Sequence, residues 1–308
     1  MIYTVTLNPA LDRIIQISDL KPDDSNKIIR EQKFAGGKGI DVSKVINELG
    51  GESTALGFMG GFDGLELEGL LINNGVICDF TKISNEIRTN IIIQDINTKS
   101  QTSLNSKGPE IKPHELAEFF DKICLVDDAD FVVISGSIPP KVTSNIYNQI
   151  INQMRKKGVK VSFDADGEAF KHGLKAKPYM IKPNKHEFSR LIGEEISELD
   201  DVVFHARNVV NSGISLVIVS LGADGIVAAT KTSALHLKPP KVEVVNKIGA
   251  GDSLVAGIVN GLTNGKSLED ALILGVATGT ATTMVEGTAL CKREDVEGLL
   301  NKITVTEL

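Results

Sequence analysis

The chain has 308 residues, 42% of them apolar, and a formal net charge of −7. A chain of this size and apolar content builds a core without staples, as one large or two small domains. The acidic balance excludes an electrostatic footprint for nucleic acid or an anionic membrane surface. The cysteines Cys78, Cys124 and Cys291 lie far apart without a CxxC or Cys/His cluster, so neither a disulfide framework nor a zinc site is expected. The opening MIYTVTLNPALDR lacks a basic region followed by an apolar one, and no apolar run approaches the ~18 residues of a membrane span. A soluble cytoplasmic α/β enzyme is expected, with no nucleic-acid or membrane partner.

In chain order, residues 2–7 read as a strand stopped by Asn8-Pro9. Apolar residues at 42, 45, 46 and 49 predict a helix over 40–49 that ends at Gly50-Gly51, and a second helix covers 65–74. Short strands are expected at 91–95 and 102–104. A regular alternation then begins: helix 113–124, strand 131–135, helix 143–156, strand 159–164, a short helix at 168–173 and strand 179–182. Helices 185–192 and 198–212, strand 216–220, strands 226–230 and 234–238, and helices 250–264, 268–285 and 293–301 follow. Strands such as FVVIS and LVIVS are near-continuous apolar runs, as expected when helices cover both sheet faces. The alternation implies right-handed βαβ units and a parallel sheet. Two polar, strand-like segments, about 12–34 and 88–106, break the rhythm. They are expected to pair as a small sheet outside the main layer, a lid.

The strongest local signal is Gly249-Ala250-Gly251-Asp252, directly before SLVAGIVNGL. Small residues at a helix start free backbone N–H groups, which with the helix dipole form an anion site. Asp252 can then accept a proton from an attacking hydroxyl while the loop holds a moving phosphoryl group. Alternatively it is only an acid favoured at a helix N-terminus. Ala35-Gly36-Gly37-Lys38-Gly39 permits close backbone approach to a ligand and offers a point charge for a phosphate. A glycine-rich turn without a ligand is equally allowed. G-x-G-x-x-G fails here, since the third glycine would fall at Val42.

Asn260-Gly-Leu-Thr-Asn-Gly-Lys-Ser267 resembles a P-loop but starts with Asn and follows a helix, so it reads as a helix C-cap and the next N-cap. Lys182-Pro183-Asn184 with Glu187 lies at the end of a predicted strand, where ligands of open α/β sheets collect. Asn184 and Glu187 either order a hydrated Mg²⁺ or form a capping box. Ser220-Leu221-Gly222-Ala223-Asp224-Gly225 suits a nucleotide lying on backbone or a plain turn, and Ser135-Gly136-Ser137 is a similar loop. The five histidines share no motif.

Taken in order, Thr6-Leu7-Asn8-Pro9-Ala10-Leu11-Asp12, Gly36-Gly37-Lys38-Gly39, Ser135-Gly136-Ser137, Lys182-Pro183-Asn184 with Glu187, Ser220-Leu221-Gly222 and Gly249-Ala250-Gly251-Asp252 resemble one family. It is the phosphofructokinase B branch of the ribokinase-like sugar kinases, matched from residue 1 to about 301. TLNPALD, the lysine of GGKG and the tail Gly287-Thr288-Ala289-Leu290-Cys291 resemble the members that act on ketohexose phosphates.

The resemblance implies one catalytic domain over 1–308, a three-layer α/β/α sandwich with a mainly parallel sheet and a β-lid. It implies ATP as donor, Mg²⁺ as cofactor and a ketohexose phosphate as acceptor. Fructose 1-phosphate is the first expectation, tagatose 6-phosphate the alternative, and a non-catalytic sugar-phosphate-binding regulator the rival from another class. It implies Asp252 as base, with Gly249, Ala250 and Gly251 as anion hole. Asp12, Gly36, Gly37, Asp41 and Ser137 would lie around the sugar, with Lys27, Lys38 and Arg88 at its phosphate. Lys182, Asn184, Ser220, Gly222 and Gly225 would line the ATP site, and Asn184 and Glu187 would order Mg²⁺ through water. A homodimer through the lid is also expected. Two positions depart from the family: Asp41 where Asn is usual, and Asp166 where Ser is common. Both are expected to add negative charge near the phosphate pocket, unless Asp41 meets only hydroxyls or pairs with Lys38.

Overall fold

The structure is a computed structural model that describes residues 1–286 and 289–308. Gly287 and Thr288 of the expected tail motif lie outside the described residues. The opening run is rich in β-branched residues and forms β1 (Ile2–Thr6). The chain passes Asn8-Pro9 into β2 (Ala10–Ile17) and β3 (Arg30–Gly36), then α1 (Lys38–Glu48), β4 (Ser53–Met59) and α2 (Gly61–Asn73). Short strands β5 (Ile77–Cys78) and β6 (Thr81–Lys82) precede β7 (Arg88–Asp95) and β8 (Ser100–Leu104). Next come α3 (Pro113–Cys124), β9 (Phe131–Ser135), α4 (Ile146–Lys156), β10 (Lys160–Asp164), α5 (Gly167–Leu174), β11 (Met180–Ile181) and α6 (Lys185–Ile192). The chain continues through α7 (Leu199–Asn211), β12 (Leu216–Ser220), β13 (Ile226–Ala229) and β14 (Ala234–Lys238). It ends with α8 (Ala250–Thr263), α9 (Leu268–Thr283), α10 (Arg293–Leu299) and β15 (Thr304–Glu307).

The central sheet runs β15-β14-β13-β12-β11-β10-β9-β1-β4-β5, with β6 also on β4. It is parallel from β5 to β12 and antiparallel from β12 to β15. Alternate residues of each strand enter different cores. Val132 and Ile134 of β9 pack with α3 to α7, whereas Phe131 and Val133 pack with α1, α8, α9 and α10. This is the expected three-layer α/β/α arrangement.

The predicted helices and the long strands occur within a few residues of their expected limits. α1 and α2 begin earlier than read, at Lys38 and Gly61, because glycines open both. β4 and β15 were not foreseen. β4 carries a glycine in its interior, Gly57, at φ +147°, and an added Cβ there would lie 1.9 Å from the Thr6 carbonyl oxygen. The close approach to β1 demands glycine, and glycine hides the strand.

The segments outside the rhythm form a separate four-stranded sheet, β3-β2-β7-β8. Its centre is a parallel β2–β7 pair flanked by antiparallel neighbours. It starts at Ala10 and ends at Gly36 on the first arm, slightly beyond the expected 12–34. Leu11 and Ala35 join it to Ile40, Leu67 and Leu71 beneath. Among the described residues no helix is long and apolar enough to cross a membrane.

Candidate active site

β1 has β4 on one side and β9 on the other, so the connections diverge there and leave a crevice at the carboxyl ends of the strands. The parallel register then determines which residues meet. Asp164 at the end of β10 lies opposite Ser135, and Phe163 opposite Ile181, which brings Lys182 alongside Asp164. Asn184 bridges to Ser220. The side-chain amide of Asn8, just past β1, donates to the Lys107 carbonyl at 3.0 Å and to Ser137 Oγ at 3.1 Å. Thr6 Oγ1, Asn8 Oδ1 and Ser135 Oγ are buried here without a hydrogen-bond partner among the described residues. Orphaned buried polar atoms at a crevice are what a ligand or ordered water satisfies.

Two helices present their N-termini to this edge. α8 is capped by Gly249 in the left-handed region (φ 76°) and has no side-chain cap, so its first amides have no partner among the described residues. An added Cβ on Gly249 would lie 2.6 Å from Leu290 Cδ2, and one on Gly251 would lie 3.0 Å from Lys182 Nζ. The Lys182 ammonium therefore sits against the GAG backbone. α1 is likewise entered through Gly37 (φ 132°) with no side-chain cap.

Three carboxylates at the edge have partners. Asp164 takes Lys38 Nζ at 3.2 and 3.3 Å and Lys182 Nζ at 3.5 Å. Asp41 pairs with Lys44 at 3.0 Å. Asp12 accepts from Asn90 Nδ2 at 2.8 Å and feels the charge of Arg88. The Arg88 guanidinium donates to the carbonyls of Asn8 at 3.1 Å and Ser106 at 3.2 Å. Asp252 differs: the partly buried carboxylate has no hydrogen bond or ion pair among the described residues. Burial raises its pKa well above the usual carboxylate value, as do the charges of Asp164 and Asp41, while Lys38 and Lys182 oppose the shift. A carboxylate so placed is a stronger base than a surface aspartate.

Burial also pushes Asp12 up to about 6 against the pull of Asn90, with Asp41 adding to the rise. Folded Asp12 thus holds its proton more tightly than the unfolded chain, so stability falls as pH rises from 3.8 to about 6. Asp12→Asn is expected to raise the melting temperature at pH 7.5 by several degrees, since such shifts amount to ~1–3 kcal/mol, and to leave it unchanged near pH 3.5. Thermal melts at the two pH values check this; equal gains at both would contradict it.

On the other side of the crevice, Asn184 Oδ1 accepts from the Glu187 amide at 2.9 Å, and Glu187 Oε2 accepts from the Asn184 amide at 2.8 Å. The capping box is therefore real, and it leaves Glu187 Oε1 as the oxygen free for a hydrated cation. No group of three acidic, His or Cys side chains that could chelate a metal occurs among the described residues. The donors thus fit Mg²⁺ held through its own waters rather than in a protein cage. Gly222 (φ 65°) faces open space, whereas an added Cβ on Gly225 (φ 84°) would lie 1.9 Å from the Leu237 carbonyl oxygen, so packing explains Gly225.

Sequence reasoning placed most of these residues together and misjudged a few. Asp41 pairs with Lys44, one helical turn on, rather than with Lys38. Lys38 is bound to Asp164 rather than standing free for a phosphate. Asp166 caps α5 and pairs with Arg190 at 3.1 Å, so its charge is compensated. Lys27 is exposed in the β2–β3 connection without a polar partner among the described residues, and no contact ties it to the others. The P-loop-like segment is a turn through Gly265 (φ 75°) followed by the Ser267 cap on Asp270. Asn8, Lys44, Asn90 and Asp164 were not singled out. Asp164 had a legible signal, an acid ending a strand buried over its last four residues.

The sequence profile of the pfkB family carbohydrate kinases matches residues 5–295. The chain belongs to the pfkB family of carbohydrate kinases. This pfkB kinase is 34% identical over 308 residues to the 1-phosphofructokinase of Bacillus subtilis (strain 168), with all of both chains covered. It is 37% identical over 309 residues to the 1-phosphofructokinase of Borreliella burgdorferi, covering 100% of this chain and 99% of that one. Its fold is similar to that of Escherichia coli phosphofructokinase-2 in complex with potassium, with a TM-score of 0.94, 31% identity and 98% of each chain covered.

Proposed function

We propose that this pfkB kinase transfers the γ-phosphoryl group of ATP to the C6 hydroxyl of fructose 1-phosphate. The observation that carries the reading is the contrast among four carboxylates: Asp12, Asp41 and Asp164 have partners, and Asp252, at the bare N-terminus of α8, has none among the described residues. Asp252 takes the proton of the acceptor hydroxyl as the hydroxyl oxygen bonds to the γ-phosphorus and the bond from that phosphorus to the β–γ bridging oxygen breaks, releasing ADP. The amides of Ala250, Gly251 and Asp252 and the Lys182 ammonium meet the charge on the migrating group. Asp12 and the Gly36-Gly37 backbone hold sugar hydroxyls, with Asp41 and Ser137 beside them. Arg88, with Lys38 and Lys27 on the same assignment, faces the phosphate already on the sugar. Ser220, Gly222, Gly225, Lys182 and Asn184 line the nucleotide wall. Glu187, with Asn184, would hold a hydrated Mg²⁺, which would supply positive charge against the phosphates. The small sheet closes over both substrates and keeps water from the transfer.

The 1-phosphate acceptor is supported by the printed names of the two curated relatives and by Lys38, whose side chain stays 39% exposed while it is paired with Asp164. An ADP-release assay with fructose 1-phosphate, tagatose 6-phosphate, fructose 6-phosphate and fructose tests it. The highest kcat/KM is expected for fructose 1-phosphate; preference for tagatose 6-phosphate would reassign the acceptor, and no release with any would remove the kinase reading.

Asp41 raises the pKa of both Asp12 and Asp252 through charge. Asp41→Asn removes that charge, so the acid limb of kcat is expected to move to lower pH, read from pH–rate profiles. A limb that stays in place would separate Asp41 from the base. A second copy is the proposed partner of the small sheet, whose margin shows Leu20, Ile28, Ile29, Ile96 and Leu104 to solvent. Light scattering at micromolar concentration is expected to give a dimer; a monomer would exclude that role.

A further inference from the structure

Asp164 takes no direct part in the transfer set out above, yet it is buried where Asp12, Asp41 and Asp252 are only partly so. An enclosed carboxylate is costly unless partnered. This one is held between two ammonium groups from different elements: Lys38, in the first turn of α1, and Lys182, just past β11. Its own carbonyl also accepts from the Gly136 amide at 2.9 Å, which ties β10 to the loop after β9.

We propose that Asp164 is the positioning residue of the transfer site, anchoring the Lys182 ammonium where the migrating phosphoryl group passes and the Lys38 ammonium toward the acceptor. The inference rests on the phosphotransfer reading above. Lysine is a point charge on a flexible stem, and without an anchor it spreads over many rotamers. Lys182 Nζ is held within 3.0 Å of where a Gly251 side chain would begin, against the backbone of the proposed anion hole. Only 7% of the Lys182 side chain is exposed, whereas Lys38 is 39% exposed and keeps one side open to the crevice. Two cations gathered so closely repel unless a shared anion lies between them, and Asp164 supplies it. The same carboxylate faces Asp252 together with Asp41, Lys38 and Lys182, so its charge also tunes the base.

The test is Asp164→Asn, with Asp164→Glu as rescue. The Asn variant is expected to lose ~10²-fold in kcat, the scale of a misplaced reacting group. KM for ATP should change far less, and the acid limb of kcat should move to lower pH, because a negative charge beside Asp252 is gone. The Glu variant should recover part of the rate. A merely structural role would lower the melting temperature and leave that limb where it was. Wild-type protein supplies a second measurement that needs neither a folded variant nor turnover: under acetic anhydride, Lys38 and Lys182 are expected to acylate more slowly than the exposed Lys231. Unchanged kcat and limb in Asp164→Asn, or acylation of both lysines at the Lys231 rate, would overturn the proposal. If wild-type enzyme releases no ADP with any ketohexose phosphate, the kinase reading fails, while the acylation pattern still reports on the anchor.

Discussion

Replacing Asp252 by Asn is expected to abolish nearly all turnover while making the protein more stable. The substitution keeps the shape and removes the base, so kcat for the sugar phosphate should fall by at least ~10³-fold, within the range general base catalysis contributes. ATP affinity, measured by calorimetry, should hardly change, because the amides and Lys182 remain in place. The stability gain follows from the sign of the pKa shift. Folded Asp252 binds its proton more tightly than the unfolded chain does, so at neutral pH its charge opposes folding. Asn carries no such charge, and the melting temperature should rise at pH 7.5. A variant that keeps kcat within about tenfold would refute the base assignment. Loss of activity together with a lower melting temperature would point to a structural aspartate instead.

Gly36→Ala should separate sugar from nucleotide. An added Cβ at this position would lie 2.2 Å from Asp12 Oδ2 and 2.6 Å from its Cγ, far inside contact distance. The Asp12 carboxylate must leave its place beside Asn90, and the hydroxyls it is assigned lose a charged acceptor. Hydrogen bonds to charged groups contribute about 1.5–3 kcal/mol, so KM for the sugar phosphate should rise ~10–100-fold. KM for ATP should stay nearly constant, since the nucleotide wall proposed above is assigned to Ser220 and Gly222, across the crevice. Steady-state kinetics with each substrate varied in turn decides it. Equal increases in both constants would mean that the change disturbs the whole edge.

Much of this architecture is legible in the residues because local and global preferences agree. FVVIS and LVIVS can be little else than covered parallel strands, whereas the GAGD loop before an apolar helix left an anion site and a plain helix-start acid both open until it was read in series with the other motifs. The failures have particular causes. β4 was missed because Gly57, required by its closeness to β1, interrupts the run. Asp41 was expected to add negative charge unless it met only hydroxyls or paired with Lys38; the partner that helical spacing delivers, Lys44, was not weighed. The Asp164–Lys38–Lys182 cluster joins three segments whose meeting depends on strand register, which no single window of sequence contains. Asn184 and Glu187 were left open between capping and cation binding. The geometry shows the cap, with one Glu187 oxygen left over.

The β2–β7 pairing has a consequence for how the molecule breathes. Asp12 and Asn90, partners across that pair, are 78 positions apart in the chain, and β8, which completes the sheet, is exposed along its whole length. A sheet joined by such distant segments and resting on few apolar anchors gains little from local order and forms after the layers beneath it. Its amides should exchange with deuterium faster than those of β9 or β10, through openings that leave the sandwich intact. On the function proposed above, ligands would enter and leave as this least cohesive part loosens, while the edge assigned to the chemistry need not move.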